Sequence, residues 1–176
     1  MKEKFKKAYM KTAKIFAELS HARRLHVGAI IVKDDRIISI GYNGMPAGWD
    51  NNCESLDYMS IDAGGWLDPD EIEERWPFIE EDIHPDLGYA RRYALKTKAE
   101  VLHAETNAIA KLAHSSESGL GSDIFITHAP CLDCAKLIYQ SGIKCVYYGE
   151  NYRDDSGLKF LEKSGITVEK LCPNEK

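Results

Sequence analysis

The strongest restriction on the fold is a hydrophobic period that switches repeatedly between two values along the chain. Two β-branched runs, Val27–Lys33 and Arg36–Gly41, flank Lys33-Asp34-Asp35, which is a hairpin signal. Beyond residue 100 the helical and strand periods alternate. His103–His114 reads as a helix, with Ala104, Ala108, Ile109 and Leu112 at helical spacing, and Asp123–Thr127 reads as a strand. A helix over Cys131–Ser141, ended by Gly142, precedes a strand over Lys144–Gly149. A helix over 156–164 and a strand over Ile166–Leu171 close the series. An opening hairpin followed by such alternation predicts an α/β three-layer sandwich with helices on both faces of a mixed sheet.

Two segments stand outside this alternation. Residues 2–20 form an amphipathic helix whose stripe is Phe5, Tyr9, Thr12, Phe16 and Leu19, a packing face. Glu3 and Glu18 interrupt its lysines, against a membrane-surface role. Residues 53–100 are rich in acids, with helical patches near 70–80 and 86–98. They read as a long, partly helical insertion within a single domain spanning 1–176.

Composition narrows the function classes. At 176 residues and 44% hydrophobic the chain can bury one good core and is not disordered. Its apolar runs, such as Ala29–Val32, fall far short of the ~20 residues that span a bilayer. The basic start Met1–Lys7 is followed by no apolar signal-peptide segment. The expectation is a cytoplasmic protein with no membrane partner. A net charge of −5 argues against bulk nucleic-acid binding, which wants a basic face. The five cysteines are an odd number with one tight pair, so they are not a disulfide framework. A pair three positions apart reads as metal ligands or as redox thiols.

The neighbours of that pair decide between the two. His103-Ala104-Glu105 and Pro130-Cys131-Leu132-Asp133-Cys134 each stand where a helix begins. Cys131 and Cys134, one helical turn apart, can aim their sulfurs the same way, and the positive helix end favours thiolates. His103 supplies a third ligand from a neighbouring helix. Three protein ligands leave one tetrahedral position open, the layout of a catalytic zinc. Glu105 sits beside that position without binding the metal and can move protons as the catalytic acid/base. A histidine and glutamate two apart followed by Pro-Cys-x-x-Cys is the zinc deaminase signature.

On these segments, together with Thr127-His-Ala-Pro and Gln140-Ser-Gly-Ile, the chain resembles the cytidine/deoxycytidylate deaminase superfamily. Val27-Gly-Ala-Ile-Ile-Val and Gly41-Tyr-Asn-Gly-Met-Pro-Ala-Gly are similar to the deoxycytidylate (dCMP) deaminases of bacteria and phages. The tRNA adenosine deaminases share the zinc segments and lack this loop. The resemblance covers residues 5–50 and 100–171. It implies a five-stranded mixed sheet and zinc-dependent conversion of dCMP and water to dUMP and ammonia, feeding dTMP synthesis. It also implies activation by dCTP with Mg2+, inhibition by dTTP, and a homo-oligomer, with a hexamer favoured. In some phage relatives a second, structural zinc is present; Cys53 fits one of its positions, whereas Ala22 replaces a cysteine and the spacing of His84 and Glu100 matches poorly.

The remaining site residues follow from chemistry and resemblance together. The Ala104 and Pro130 carbonyls are expected acceptors for the leaving amino group, with ordinary helix-start backbone as the competing reading. His114, Ser115 and Ser116, followed by Ser118, make a phosphate cradle that Tyr152 and Arg153 could close; helix capping competes with it. Asn43 reads either as a holder of the substrate sugar or as part of the effector loop. Ser20, His21, Arg24, Gly41, Tyr42 and Gly44 are the effector candidates, with glycines placed for hairpin geometry as the alternative. Two other functions remain: deamination of a free nucleoside, or a non-catalytic zinc module, against which the carboxyl of Glu105 speaks.

Overall fold

The computed structural model describes residues 1–60, 67–80, 88 and 90–171. They form two compact units, one of residues 1–51 and 100–176 and one of residues 52–99.

The larger unit is built on a five-stranded sheet. Its strands are β1 (Gly28–Lys33), β2 (Arg36–Tyr42), β6 (Asp123–His128), β7 (Cys145–Glu150) and β8 (Thr167–Lys170). Their order across the sheet is β2-β1-β6-β7-β8. The β1–β2 and β1–β6 pairs are antiparallel, whereas β6–β7 and β7–β8 are parallel. The sheet is therefore mixed, as the alternation of periods predicts. Asp34 and Asp35 both take positive φ, 50° and 57°, which is the two-residue turn that matches the twist of a hairpin.

Side-chain alternation along the strands sorts the core into two layers. Ile30, Val32, Phe125 and Tyr147 face helix α1 (Glu3–Ala17), which adds Met10 and Ala13. The Phe125 and Tyr147 rings stack there with centroids 4.6 Å apart. Ala29, Ile31, Ile124, Ile126 and Val146 face the other way. On that side lie α3 (Ala104–Leu112), α4 (Leu132–Gln140) and α5 (Ser156–Lys163), contributing Ala108, Ala135, Ile138 and Leu161. The result is helix, sheet and helices in three layers. No helix among the described residues is long and apolar enough to cross a membrane.

The smaller unit has a helix in the expected patch near 70–80 and corrects the expectation of a second one near 86–98. Its core is an antiparallel sheet of β3 (Glu54–Tyr58), β5 (Arg92–Thr97) and β4 (Phe78–Ile79), in that order. The only helix among its described residues is α2 (Pro69–Arg75), started by a capping box of Asp68 and Glu71. The patch near 86–98 is thus a strand over its described core. Tyr93 sits opposite both Tyr58 and Phe78, stacking on Phe78 at 5.4 Å and meeting Tyr58 edge-on at 5.9 Å. Cross-strand aromatic pairs of this kind stabilise a sheet, and a short apolar run cannot declare its period alone. His84 and Cys172 lie outside the described residues.

Candidate metal centre

The strands β6 and β7 run parallel and end side by side, and the loops beyond them gather several segments of the larger unit. β6 leads through Ala129 and Pro130 into Cys131, the N-cap of α4. His103 is the N-cap of α3. This is the carboxyl end of parallel strands, where α/β sheets place their sites.

Here His103, Cys131 and Cys134 converge. The His103 Nδ1 lies 3.6 Å from the Cys131 Sγ and 3.3 Å from the Cys134 Sγ. One donor atom from each of the three falls within 4.8 Å of the others, and among the described residues this is the one such group of metal-ligating side chains. A tetrahedral zinc with ordinary Zn–N and Zn–S bonds needs nitrogen and sulfur about 3.5 Å apart, so the donor set fits the ion. His103 is exposed, Cys131 half-buried and Cys134 buried, so the group opens on one side.

The three side chains shift one another's titration. The Cys134 thiol donates to Cys131, and with His103 beside it this holds the Cys131 thiol down to about 4. Cys134 is correspondingly the partner that keeps its proton, pushed up by Cys131 and by burial. His103 is raised by its contact with the Cys131 sulfur. Glu105, only 4% exposed, is pushed up by burial; its own backbone N–H and Cys134 offset part of that. A buried carboxyl within reach of Cys134 thus completes the cluster without joining the donor set.

Helix α3 is fastened along β2. The Ser39 hydroxyl donates to the Ala108 carbonyl at 2.6 Å, the Asn107 amide to the Tyr42 carbonyl and Lys111 Nζ to the Ile40 carbonyl, both at 3.0 Å. Sequence reasoning did not find Ser39 or Asn107. Asn107 stands one turn after His103, which was the available signal.

The expected phosphate cradle splits in two. His114, Ser115 and Ser116 lie at the far end of α3, eleven residues from His103, which at helical rise is about 16 Å. That end adjoins the start of β6, where Lys33 bonds the Ser118 carbonyl. The Ser115 hydroxyl donates to the Leu112 carbonyl and accepts from the Glu117 N–H, a helix exit held by its own side chain. Within one chain, therefore, His114, Ser115 and Ser116 do not reach the metal group. Tyr152 and Arg153 stand instead in the loop between β7 and α5, beyond the carboxyl end of β7. Their loop is tied at one end by Ala129 N–H to the Glu150 carbonyl, and at the other Gly157 packs on Pro130 and Cys131. A cleft of about 400 Å³ opens there, lined by Asn151, Tyr152, Arg153, Asp154, Asp155 and Leu158. Its two acids are engaged locally, Asp154 with Ser156 and Asp155 with Lys159.

The expected carbonyl acceptors are closely covered. Ala104 opens α3, so its carbonyl points along the helix, and it packs against the Gly41 Cα. The Pro130 carbonyl packs in the same way against Gly157. The loop assigned to an effector is also committed to structure. Gly41 is buried against α3, and Gly44 exchanges both backbone bonds with Leu102, at 3.1 and 2.9 Å. The Gly44 amide is thus not open to phosphate, and the loop lies one residue from His103. Ser20 donates to the Asn43 carbonyl, and Tyr42 accepts from Asn107. Asn43 accepts from the Val27 N–H and donates to the Leu25 carbonyl, both at 2.8 Å, which leaves its amide one further N–H. His21, next to Ser20, and Arg24, next to Leu25, are exposed.

Known proteins are similar over most of this chain. Residues 3–150 match the family model of the cytidine and deoxycytidylate deaminase zinc-binding region. The chain is 38% identical to the deoxycytidylate deaminase of Enterobacteria phage T4, over 81% of this chain and 77% of that protein. It is 32% identical to ComE operon protein 2 of Bacillus subtilis, over 93% of this chain and 69% of that one. A solved structure of the dCMP deaminase of cyanophage S-TIM5, in complex with dCMP and dUMP, superposes with a TM-score of 0.72. It is 39% identical and covers 97% of this chain and 99% of its own.

Proposed function

The chain belongs to the cytidine and deoxycytidylate deaminase family, and from that membership we propose that it hydrolyses dCMP to dUMP and ammonia. The observation that carries the reading is the meeting of a three-ligand donor set with one buried carboxyl. The similarity to a phage enzyme solved with substrate and product supports the nucleotide.

In this reading His103, Cys131 and Cys134 hold a zinc ion, which when bound makes water a nucleophile near neutral pH. Glu105 does the proton work. It takes a proton from the attacking water, gives it to N3 of the cytosine ring, and carries the next to the departing amino group. Its burial keeps bulk water from competing for those protons. Arg153, with its guanidinium 5.4 Å from the Tyr152 ring centre, receives the 5′-phosphate from the β7–α5 loop. Asn43 turns its remaining N–H to the sugar. Residues from about 53 to 100 are an insertion in this deaminase domain. Regulation by dCTP with Mg2+ and by dTTP, a homo-oligomer, and a supply of dUMP for dTMP belong to the same reading, with His21 and Arg24, both exposed, among its effector residues.

Ammonia release from dCMP, deoxycytidine, CMP and dCTP, each with and without added dCTP as effector, tests it. Turnover of dCMP well above deoxycytidine is the expected result. Equal turnover of the two removes the phosphate site, and none with any of the four in zinc-loaded protein removes the enzyme. Hyperbolic dCMP curves that dCTP leaves unchanged remove the regulation.

A further inference from the structure

Three glycines of the larger unit stand where a side chain has the least room. A Cβ added at Gly28, Gly41 or Gly157 would lie 2.0, 2.1 or 2.1 Å from a backbone oxygen, of Ala13, Ala104 or Pro130 respectively. None of the three takes a positive φ, so glycine's backbone freedom is not what these positions use. They use its lack of a side chain, which lets two backbones touch.

The three contacts differ in what lies behind them. Gly28 seats β1 on the backbone of α1, on the face of the sheet away from α3, α4 and α5. Gly41 seats β2 on the first turn of α3, the turn that His103 caps and that carries Glu105. Its other close atoms are the Ala108 nitrogen at 2.6 Å and Cβ at 3.0 Å. Gly157, in the first turn of α5, lies against the peptide that holds Cys131, with the Cys131 carbonyl carbon and oxygen each at 2.9 Å. No rotamer change can relieve contacts between backbone atoms.

Resting on the reading of His103, Cys131 and Cys134 as zinc ligands, we infer that Gly41 and Gly157 are positioning residues of the metal centre. Gly41 sets the depth of the histidine helix, and Gly157 sets the place of Cys131. The magnitudes support this. Bringing a Cβ from 2.1 Å to an allowed distance beyond 3.0 Å moves backbone by about 0.9 Å, whereas metal–ligand distances tolerate about 0.2 Å. The three hydrogen bonds that fasten α3 along β2 resist a compensating slide. On the other side Leu161 is fully buried in the core and holds α5 in place.

Gly28 provides the control, because its clash is as severe and its helix carries no ligand. Gly28→Ala, Gly41→Ala and Gly157→Ala are made in the full chain. Each is measured for thermal stability, zinc affinity by competition with a chromophoric chelator, and the thiolate absorption of the cobalt(II)-substituted protein. All three should lose stability. Gly28→Ala should keep zinc affinity within twofold of wild type and an unchanged cobalt spectrum. Gly41→Ala and Gly157→Ala should bind zinc tenfold or more weakly and show altered cobalt–thiolate bands, in line with the ~10–100-fold effect of outer-shell changes. If one of the two does not fold, the other carries the test from its own helix. Loss of the fold in both, or zinc affinity within twofold of wild type in both, overturns the inference. Wild-type protein that holds no zinc would instead overturn the deaminase reading beneath it.

Discussion

The two ends of helix α3 each present a histidine among polar neighbours, and only one of them belongs to the metal group. At the N-terminal end His103 meets Cys131 and Cys134 from another segment, with Glu105 buried behind it. At the C-terminal end His114, Ser115 and Ser116 are exposed, and the Ser115 hydroxyl bonds within five residues of itself in the chain. A local cluster of suitable side chains is satisfied locally, as helix exits require. A reactive group arises where the sheet forces distant segments to the same place. The N-terminal end lies at the carboxyl ends of β6 and β7, and the C-terminal end lies at the start of β6.

The largest effect that would sharpen the contrast is at the first end. Glu105→Gln should lower kcat for dCMP by about 10²–10⁴-fold while zinc content stays at the wild-type level. Metal loss in this variant would make Glu105 a ligand, and the contrast would then be one of metal binding alone. A smaller effect comes from the fastening between the ends. Ser39→Ala removes a buried hydrogen bond to the Ala108 carbonyl and should cost about 1 kcal/mol in denaturant unfolding. An unchanged midpoint would mean that the seat of α3 depends on packing alone. The smallest effect belongs to the far end. His114→Ala should leave KM for dCMP within twofold, since about 16 Å of helix separates it from His103. A clear rise would break the comparison by showing that a second copy of the chain brings this end to the site.

Much of this was legible in the residues. The alternation of periods predicts the mixed sheet and its helices, because apolar residues at spacings of 2 and 3.6 can be buried in only one way each. The strand ends fall within a residue or two of the expected bounds, for instance Asp123–His128 against Asp123–Thr127. The metal segments were legible because their residue types are rare together and their spacing is set by a helical turn. The insertion was less so. In Arg92–Thr97 the aromatic and apolar positions satisfy either period, and the pairing of Tyr93 with Tyr58 and Phe78 decided for a strand. The distance of His114 from the metal group was hidden for a related reason. Order along the chain says which residues follow a helix, and says nothing of how far away its end lies from a group at its start.

The sequence by itself determined the periods, the helix starts and the identity of the donor atoms, all of which are properties of a few consecutive residues. Only the tertiary structure decided which candidates meet. It buried Gly41 and Gly157 against the ligand-bearing segments, tied Gly44 to Leu102, and sent His114 to the other end of the sheet. Local preference acts over a turn or a strand, whereas convergence depends on strand order and helix length. Those are settled only when the whole core closes, because backbone contacts as short as the one at Gly157 form only when every neighbouring layer is in place.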